Sequence, residues 1–248
     1  DTLPPPLPGH TRFVCISDTH SREPAIPPGD VLIHAGDLTR HGRPEEIQQA
    51  VKWLKTLPHP VKIIIAGNHD VGVSFRFCRI HSPYTRIYSF DENDTPSVRL
   101  KHFLRDQREF GICYLENQAL SFESPSGRLW KVYGTPASPL YGSSAFQYDG
   151  DAAARAVFDA IPAETEILLT HGPPYGTLDV TRKGFRAGCR VLSARLRELP
   201  YCRLHVFGHI HEASGVKVIK DRGHSSRVSI NAAMTSWNSK VVVTDLKD

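Results

Sequence analysis

Nine side chains that can bind divalent cations or move protons follow short apolar runs: Asp18, His20, Asp37, Asn68, His69, Asp70, His171, His209 and His211. They offer oxygen and nitrogen without thiolate, a donor set that suits Mn, Fe, Zn or Mg. Asp18-Thr19-His20 and His209-Ile210-His211 each place two donors at i and i+2. In extended backbone such residues face the same way, so each pair can point into one site. A carboxylate can bridge two cations, and imidazole and amide oxygen can complete their shells. Two ions about 3.5–4 Å apart can activate one hydroxide and stabilise an in-line displacement. Each residue alone has an ordinary explanation. Asp18 suits a helix cap, and Asp37 and Asn68 sit beside glycines, where turns use Asp and Asn. A lone histidine is commonly structural or merely exposed, as His34, His41, His59, His81 and His102 illustrate. The recurrence of one arrangement is what points to a metal centre.

Elements that position these groups are legible from the apolar pattern. Thr11–Ile16, Val31–His34 and Val61–Ala66 read as buried strands, and each stops at donors. Between the second and third, Pro44-Glu45-Glu46 opens a helix with Ile47, Val51, Leu54 and Leu57 at helical spacing. Its acidic first turn suits the helix dipole. This alternation predicts an α/β sheet with crossovers. Ligands in such folds collect beyond the carboxyl ends of the strands. Further strands are expected at Leu115–Phe122, Leu129–Gly134, Ile167–Thr170 and Leu204–Phe207, with helices at Asp151–Ile161 and Cys189–Leu199. The β-branched stretches Val216–Ile219, Arg227–Ile230 and Lys240–Val243 read as late strands. Gly134–Gly150 reads as a long surface loop, and the pattern blurs from Val71 to Arg108. Residues 1–10 are expected to form a proline-rich leader and residues 11–248 a single domain.

Composition narrows the function classes. The chain has 248 residues, 40% of them apolar, enough for a substantial core. Its 30 basic and 26 acidic residues give a net charge of +4, which suits an anionic substrate. No dense basic stripe marks a surface for long nucleic acid. Cys15, Cys78, Cys113, Cys189 and Cys202 are widely spaced, with no CxxC, which argues against a disulfide scaffold or thiolate zinc site. No apolar run reaches the ~18 residues of a membrane span. The thiol pattern makes the cytoplasm the expected address. Oligomeric state is left open. Trp53, Trp130 and Trp237 could cover a partner or fill gaps.

Asp18-Thr19-His20, Gly36-Asp37, Gly67-Asn68-His69-Asp70, His171 and Gly208-His209-Ile210-His211 together resemble the signature of the calcineurin-like metallophosphoesterase superfamily. The resemblance spans about residues 12–211, with the motifs in family order. Gly9–Arg22, Ile65–His69, Thr170–Pro174, Leu204–Gly208 and Ile230–Ala232 are similar to its branch of metallophosphoesterase-domain-containing proteins, known from animal brain with fungal and bacterial relatives. The resemblance implies a four-layer α/β/β/α sandwich of two mixed sheets, the late strands building the second sheet. It implies two divalent or trivalent metal ions, with Mn expected and Fe, Zn or Mg as alternatives. Asp18, His20, Asp37 and His211 would hold the first ion. Asp37 would bridge to a second, completed by Asn68, His171 and His209. His69 resembles the catalytic histidine that contacts phosphate and protonates the leaving group, with Asp70 placed to orient it. Members of the close branch include proteins with Gly in place of His209, so His209 here implies a more complete second site.

The branch is associated with hydrolysis of cyclic nucleotides and other phosphodiesters, which makes a small phosphodiester the expected substrate. Phosphomonoester hydrolysis and a non-catalytic metal-binding role are the alternatives. Arg22, Arg40, His41, Phe75, Arg76, Tyr175, Trp237 and Asn238 are candidate rim residues. A guanidinium among them could hold a terminal phosphate, and an aromatic ring could stack on a base.

Overall fold

A computed structural model describes residues 4–74, 95–220, 226–234 and 241–248. Two sheets pack face to face. The first has strands β1 (His10–Ile16), β2 (Val31–Ala35), β3 (Val61–Ile65), β4 (Ile112–Leu115) and β13 (Val242–Lys247), in the order β13-β1-β2-β3-β4. The second comprises β5 (Gln118–Glu123), β6 (Leu129–Thr135), β9 (Ile167–Thr170), β10 (Leu204–Phe207), β11 (Gly215–Ile219) and β12 (Arg227–Asn231), in the order β11-β12-β10-β9-β6-β5. Both sheets are mixed. β1 to β4 run parallel with β13 antiparallel, and β6, β9, β10 and β12 run parallel with β5 and β11 antiparallel.

The two-residue period of a strand explains the layering. Phe13, Cys15, Ile33, Ile63 and Ile65 of the first sheet meet Trp130, Val132, Ile167, Leu169, Leu204 and Val206 of the second in one buried core. Alternate residues Val14, Ile16, Leu32 and Ile64 face outward onto helices α1 (Pro44–Thr56) and α2 (Pro96–Arg105). Tyr133 and Leu168 of the second sheet pack against α3 (Gly150–Phe158) and α4 (Arg190–Arg197). The result is the expected α/β/β/α sandwich. Each large aliphatic side chain in these seams contributes roughly 1.5–3 kcal/mol through burial. Trp130 is fully buried and Trp53 nearly so, which makes both of them core fillers; Trp237 lies outside the described residues. Cys15, Cys113, Cys189 and Cys202 are free thiols. Among the described residues, no helix is long and apolar enough to cross a membrane.

Three expectations are corrected. Leu115–Phe122 is not one strand. Asn117 takes a left-handed conformation with φ 52°, which ends β4 in the first sheet and starts β5 in the second. The last strand does not join the second sheet either: β13 lies antiparallel to β1, with Val14 opposite Val243. Gly134–Gly150 is more ordered than a surface loop. Two short strands, β7 (Ser138–Pro139) and β8 (Gln147–Tyr148), pair within it, and Ala137 and Ala145 are buried. Within the blurred stretch, α2 is capped by the Thr95 hydroxyl, which accepts from the Val98 amide, while residues 75–94 lie outside the described set.

Candidate metal centre

The parallel strands β1, β2 and β3 end side by side, and β9 and β10 end beside them from the facing sheet. Asp18 and His20 follow β1, Asp37 follows β2, Asn68 to Asp70 follow β3, His171 follows β9, and His209 and His211 follow β10. Sharp turns leave these ends. Asp18, His20, Ser21, Asp37 and His209 all have φ between 47° and 68°, a conformation uncommon outside glycine and concentrated at functional sites. Glycines allow the close approach of the strand ends. A β-carbon on Gly67 would collide with Asp37 Oδ1, and one on Gly208 with Asp18 Oδ2.

In the first lobe, His211 Nε2 lies 3.1 Å from Asp18 Oδ1 and 3.3 Å from His20 Nε2. His20 Nε2 is 3.8 Å from Asp37 Oδ2. The ring of His20 donates through Nδ1 to the Thr39 carbonyl at 3.2 Å, so in its neutral form Nε2 presents a lone pair to the lobe. In the second lobe, His171 Nε2 lies 3.4 Å from Asp37 Oδ2 and 2.9 Å from Asn68 Oδ1. His209 Nδ1 lies 2.8 Å from the same Asn68 oxygen. His171 donates through Nδ1 to the Ala35 carbonyl at 2.9 Å, which again turns Nε2 inward. Asp37 therefore faces both lobes. Potential ligand atoms of Asp18, His20 and His211, and of Asp18, Asp37 and His171, all lie within 4.8 Å of one another.

The two buried carboxylates, Asp18 and Asp37, draw positive charge into this cluster. Burial disfavours charge on every member. Against that cost, the neighbouring imidazoles hold Asp18 and Asp37 below the usual carboxylate range. Burial likewise opposes a proton on His171, yet Asp37 and Asp18 raise its pKa to about 10. Lone pairs that face one another at these distances require a proton or a cation between them. The donors of Asp18, His20, Asp37, Asn68, His171, His209 and His211 would accommodate two cations, and the residues fit a dinuclear centre.

His69 stands at the open edge. Its ring packs edge-on to His20 with centroids 4.7 Å apart, and a ring nitrogen lies within 4.8 Å of donor atoms of His20 and Asp37. Its Nδ1 donates to the Arg40 carbonyl at 2.9 Å, which fixes the ring orientation and leaves Nε2 outside that bond. The expected orienting role of Asp70 is corrected. Its fully buried carboxylate turns away from His69 and accepts from the Leu38, Thr39 and Gly67 amides and the Thr39 hydroxyl, at 2.6–3.1 Å. Asp70 thus ties the loop after β2 to the loop after β3. Arg22 is also redirected from a rim role: its guanidinium donates to the carbonyls of Thr19, Asp18 and Met234. Arg40 and His41 are exposed, Tyr175 is covered by the Arg190 guanidinium 3.8 Å from its ring, and Phe75, Arg76, Trp237 and Asn238 lie outside the described residues. Thr39 and the Arg40 carbonyl carry no sequence signal, whereas the glycine before Asp37, Asn68 and His209 is one that marks close approach.

Comparison with known proteins agrees with this geometry. The family model described as calcineurin-like phosphoesterase matches residues 11–213. Metallophosphoesterase domain-containing protein 1 of Homo sapiens is 40% identical over 219 residues, covering 86% of this chain and 64% of that protein. A protein of Emericella nidulans named "Probable rhamnogalacturonate lyase C" is 38% identical over 209 residues, 84% of this chain but 18% of that protein. The chain thus spans less than two thirds of either relative. Among solved structures, a dimetal phosphatase from Danio rerio superposes with a TM-score of 0.51 at 8% identity, over 96% of this chain and 91% of that one, a likeness of fold. With the family model matched across every strand end that bears a donor, the chain belongs to the calcineurin-like phosphoesterase family.

Proposed function

We propose that this chain hydrolyses a small phosphodiester, such as a cyclic nucleotide, at two metal ions, with Mn the preferred metal. The observation that carries the reading is Asp37, whose carboxylate faces the His20 and His171 lobes at once. When bound, the ion pair supplies Lewis acidity and lowers the pKa of a water nucleophile. Asp18, His20, Asp37 and His211 would hold one ion; Asp37, Asn68, His171 and His209 would hold the other. His69 donates its ring proton to the departing alcohol oxygen, and the Arg40 carbonyl fixes the ring orientation for that transfer.

The preference for a diester rests on charge and on the resemblance to the diesterase-associated branch. A monoester dianion asks for more cationic partners than a diester monoanion. Arg22, the guanidinium nearest the Asp18 loop in sequence, is occupied by backbone carbonyls and does not fill that role. The test is turnover of bis-p-nitrophenyl phosphate and p-nitrophenyl phosphate after chelation and readdition of Mn. Faster diester turnover, abolished by chelator and restored by metal, supports the reading. Faster monoester turnover across metals assigns a phosphomonoesterase, and no turnover by folded, metal-loaded protein assigns a binding role.

A further inference from the structure

A second feature opens beside the metal centre. A cavity of about 700 Å³ has His209 in its lining, between the Leu140-Tyr141 segment and a hairpin carrying Arg182, Lys183 and Phe185. That volume falls in the range of small-molecule sites. Three of its large apolar side chains are open to solvent: Leu140 is 55% exposed, Tyr141 82% and Phe185 68%. Clustered exposed rings of this kind mark binding surfaces.

The hairpin is held in shape. Thr181 donates to the Phe185 carbonyl at 2.8 Å, and Gly184 donates to the Thr181 carbonyl at 2.8 Å. Val180 and Arg186 bridge at its base. Beneath it, the fully buried Asp179 carboxylate accepts from the Gly176 amide at 2.9 Å and from Arg186 Nη1 at 2.7 Å. The Phe185 ring therefore stands exposed on an anchored support, at low entropic cost to a ligand, and across from it the Tyr141 carbonyl accepts from Gln147 Nε2 at 2.9 Å. The cavity carries two cations, Arg182 and Lys183, against one acid, Glu212, whose carboxylate already accepts the Arg182 backbone N–H.

We propose that this cavity is the specificity subsite for an organic arm of the phosphate ester, shaped for a planar aromatic group bearing a negative charge. Phosphorus sits at the metals, the arm extends past His209, Tyr141 and Phe185 flank its ring, and Arg182 and Lys183 meet its charge. The inference rests on the phosphoesterase reading above and adds the class of substrate.

Calorimetric titration of the Mn-loaded protein with methylphosphonate, phenylphosphonate and 3-carboxyphenylphosphonate tests it without turnover. Phenylphosphonate should bind about tenfold tighter than methylphosphonate, and the Tyr141→Ala/Phe185→Ala variant should erase that ratio. The 3-carboxyl group should tighten binding further, and the Arg182→Gln/Lys183→Gln variant should remove that gain. All four positions are solvent-facing, and circular dichroism verifies folding. Metal-dependent binding of all three phosphonates with both ratios unchanged by the variants would overturn the subsite alone. Loss of only one ratio would overturn the other half of the assignment. Absence of any metal-dependent phosphonate binding would overturn the phosphoesterase reading itself.

Discussion

The backbone N–H of His69 donates to Asp37 Oδ1 at 2.8 Å, so the residue at the open edge of the site is pinned to the carboxylate that faces both lobes. Its ring is fixed separately, by the Arg40 carbonyl. One carboxylate therefore faces both lobes and also holds the His69 backbone. Asp37→Asn should weaken metal affinity by at least about 100-fold, beyond the usual effect of losing a supporting contact. Metal content after gel filtration measures it, and full retention of both ions would contradict the shared role.

His69→Gln removes the proposed proton donor while preserving a side chain of similar reach. Hydrolysis of an alkyl ester should fall by about 10²- to 10⁴-fold, the range for general acid catalysis. A p-nitrophenyl ester, whose leaving group needs no proton, should lose much less. Equal losses on the two would assign His69 to binding alone.

Asp70→Ala strips the acceptor from three buried amides and the Thr39 hydroxyl. Destabilisation of about 3 kcal/mol or more is expected from donors left unsatisfied, readable by denaturant titration. The leaving-group dependence of the remaining activity should match that of the parent protein. A dependence resembling His69→Gln would instead restore a link between Asp70 and the His69 ring.

Gly208→Ala places a β-carbon against Asp18 Oδ2 and Ser17 Oγ. The first lobe should lose metal before the fold is lost. Reduced metal stoichiometry with an unchanged far-ultraviolet spectrum is the expected outcome.

Acid sensitivity has a source in His205 of β10, which is not among the candidate ligands. His205 is fully buried, its Nε2 2.9 Å from the Thr170 hydroxyl, which itself donates to the Gly172 carbonyl. Burial first, then Arg227, depresses its pKa well below the usual value. The unfolded chain binds a proton below about pH 6.5 that the folded chain refuses. This contribution is present above that pH and fades as pH falls, by at most about 1.4 kcal/mol per unit. His205→Gln keeps a donor for Thr170 and should flatten the fall of Tm between pH 6.5 and 5.

The donor set was legible because its signal is chemical and local: glycine, then Asp, Asn or His, at the end of an apolar run. The strands bearing it were legible for the same reason, since burial on both faces leaves continuous apolar stretches such as Val31-Leu32-Ile33. Side-chain aim was not. Asp70 follows His69 directly, yet the turn points its carboxylate at Leu38 and Thr39, partners set by a loop 31 and 32 residues away. Strand membership was also obscure where a single backbone angle decides it. Asn117 splits one apolar stretch between two sheets, and the β-branched run of β13 pairs equally well on paper with either sheet.

The donors come from both layers: Asp18, His20, Asp37 and Asn68 ride on the first sheet, His171, His209 and His211 on the second. A bound ion pair would thus be a rivet through one end of the sandwich. Shear between the layers would load the coordinate bonds first, and withdrawing the rivet would free that end to splay while the apolar seam still gripped the other.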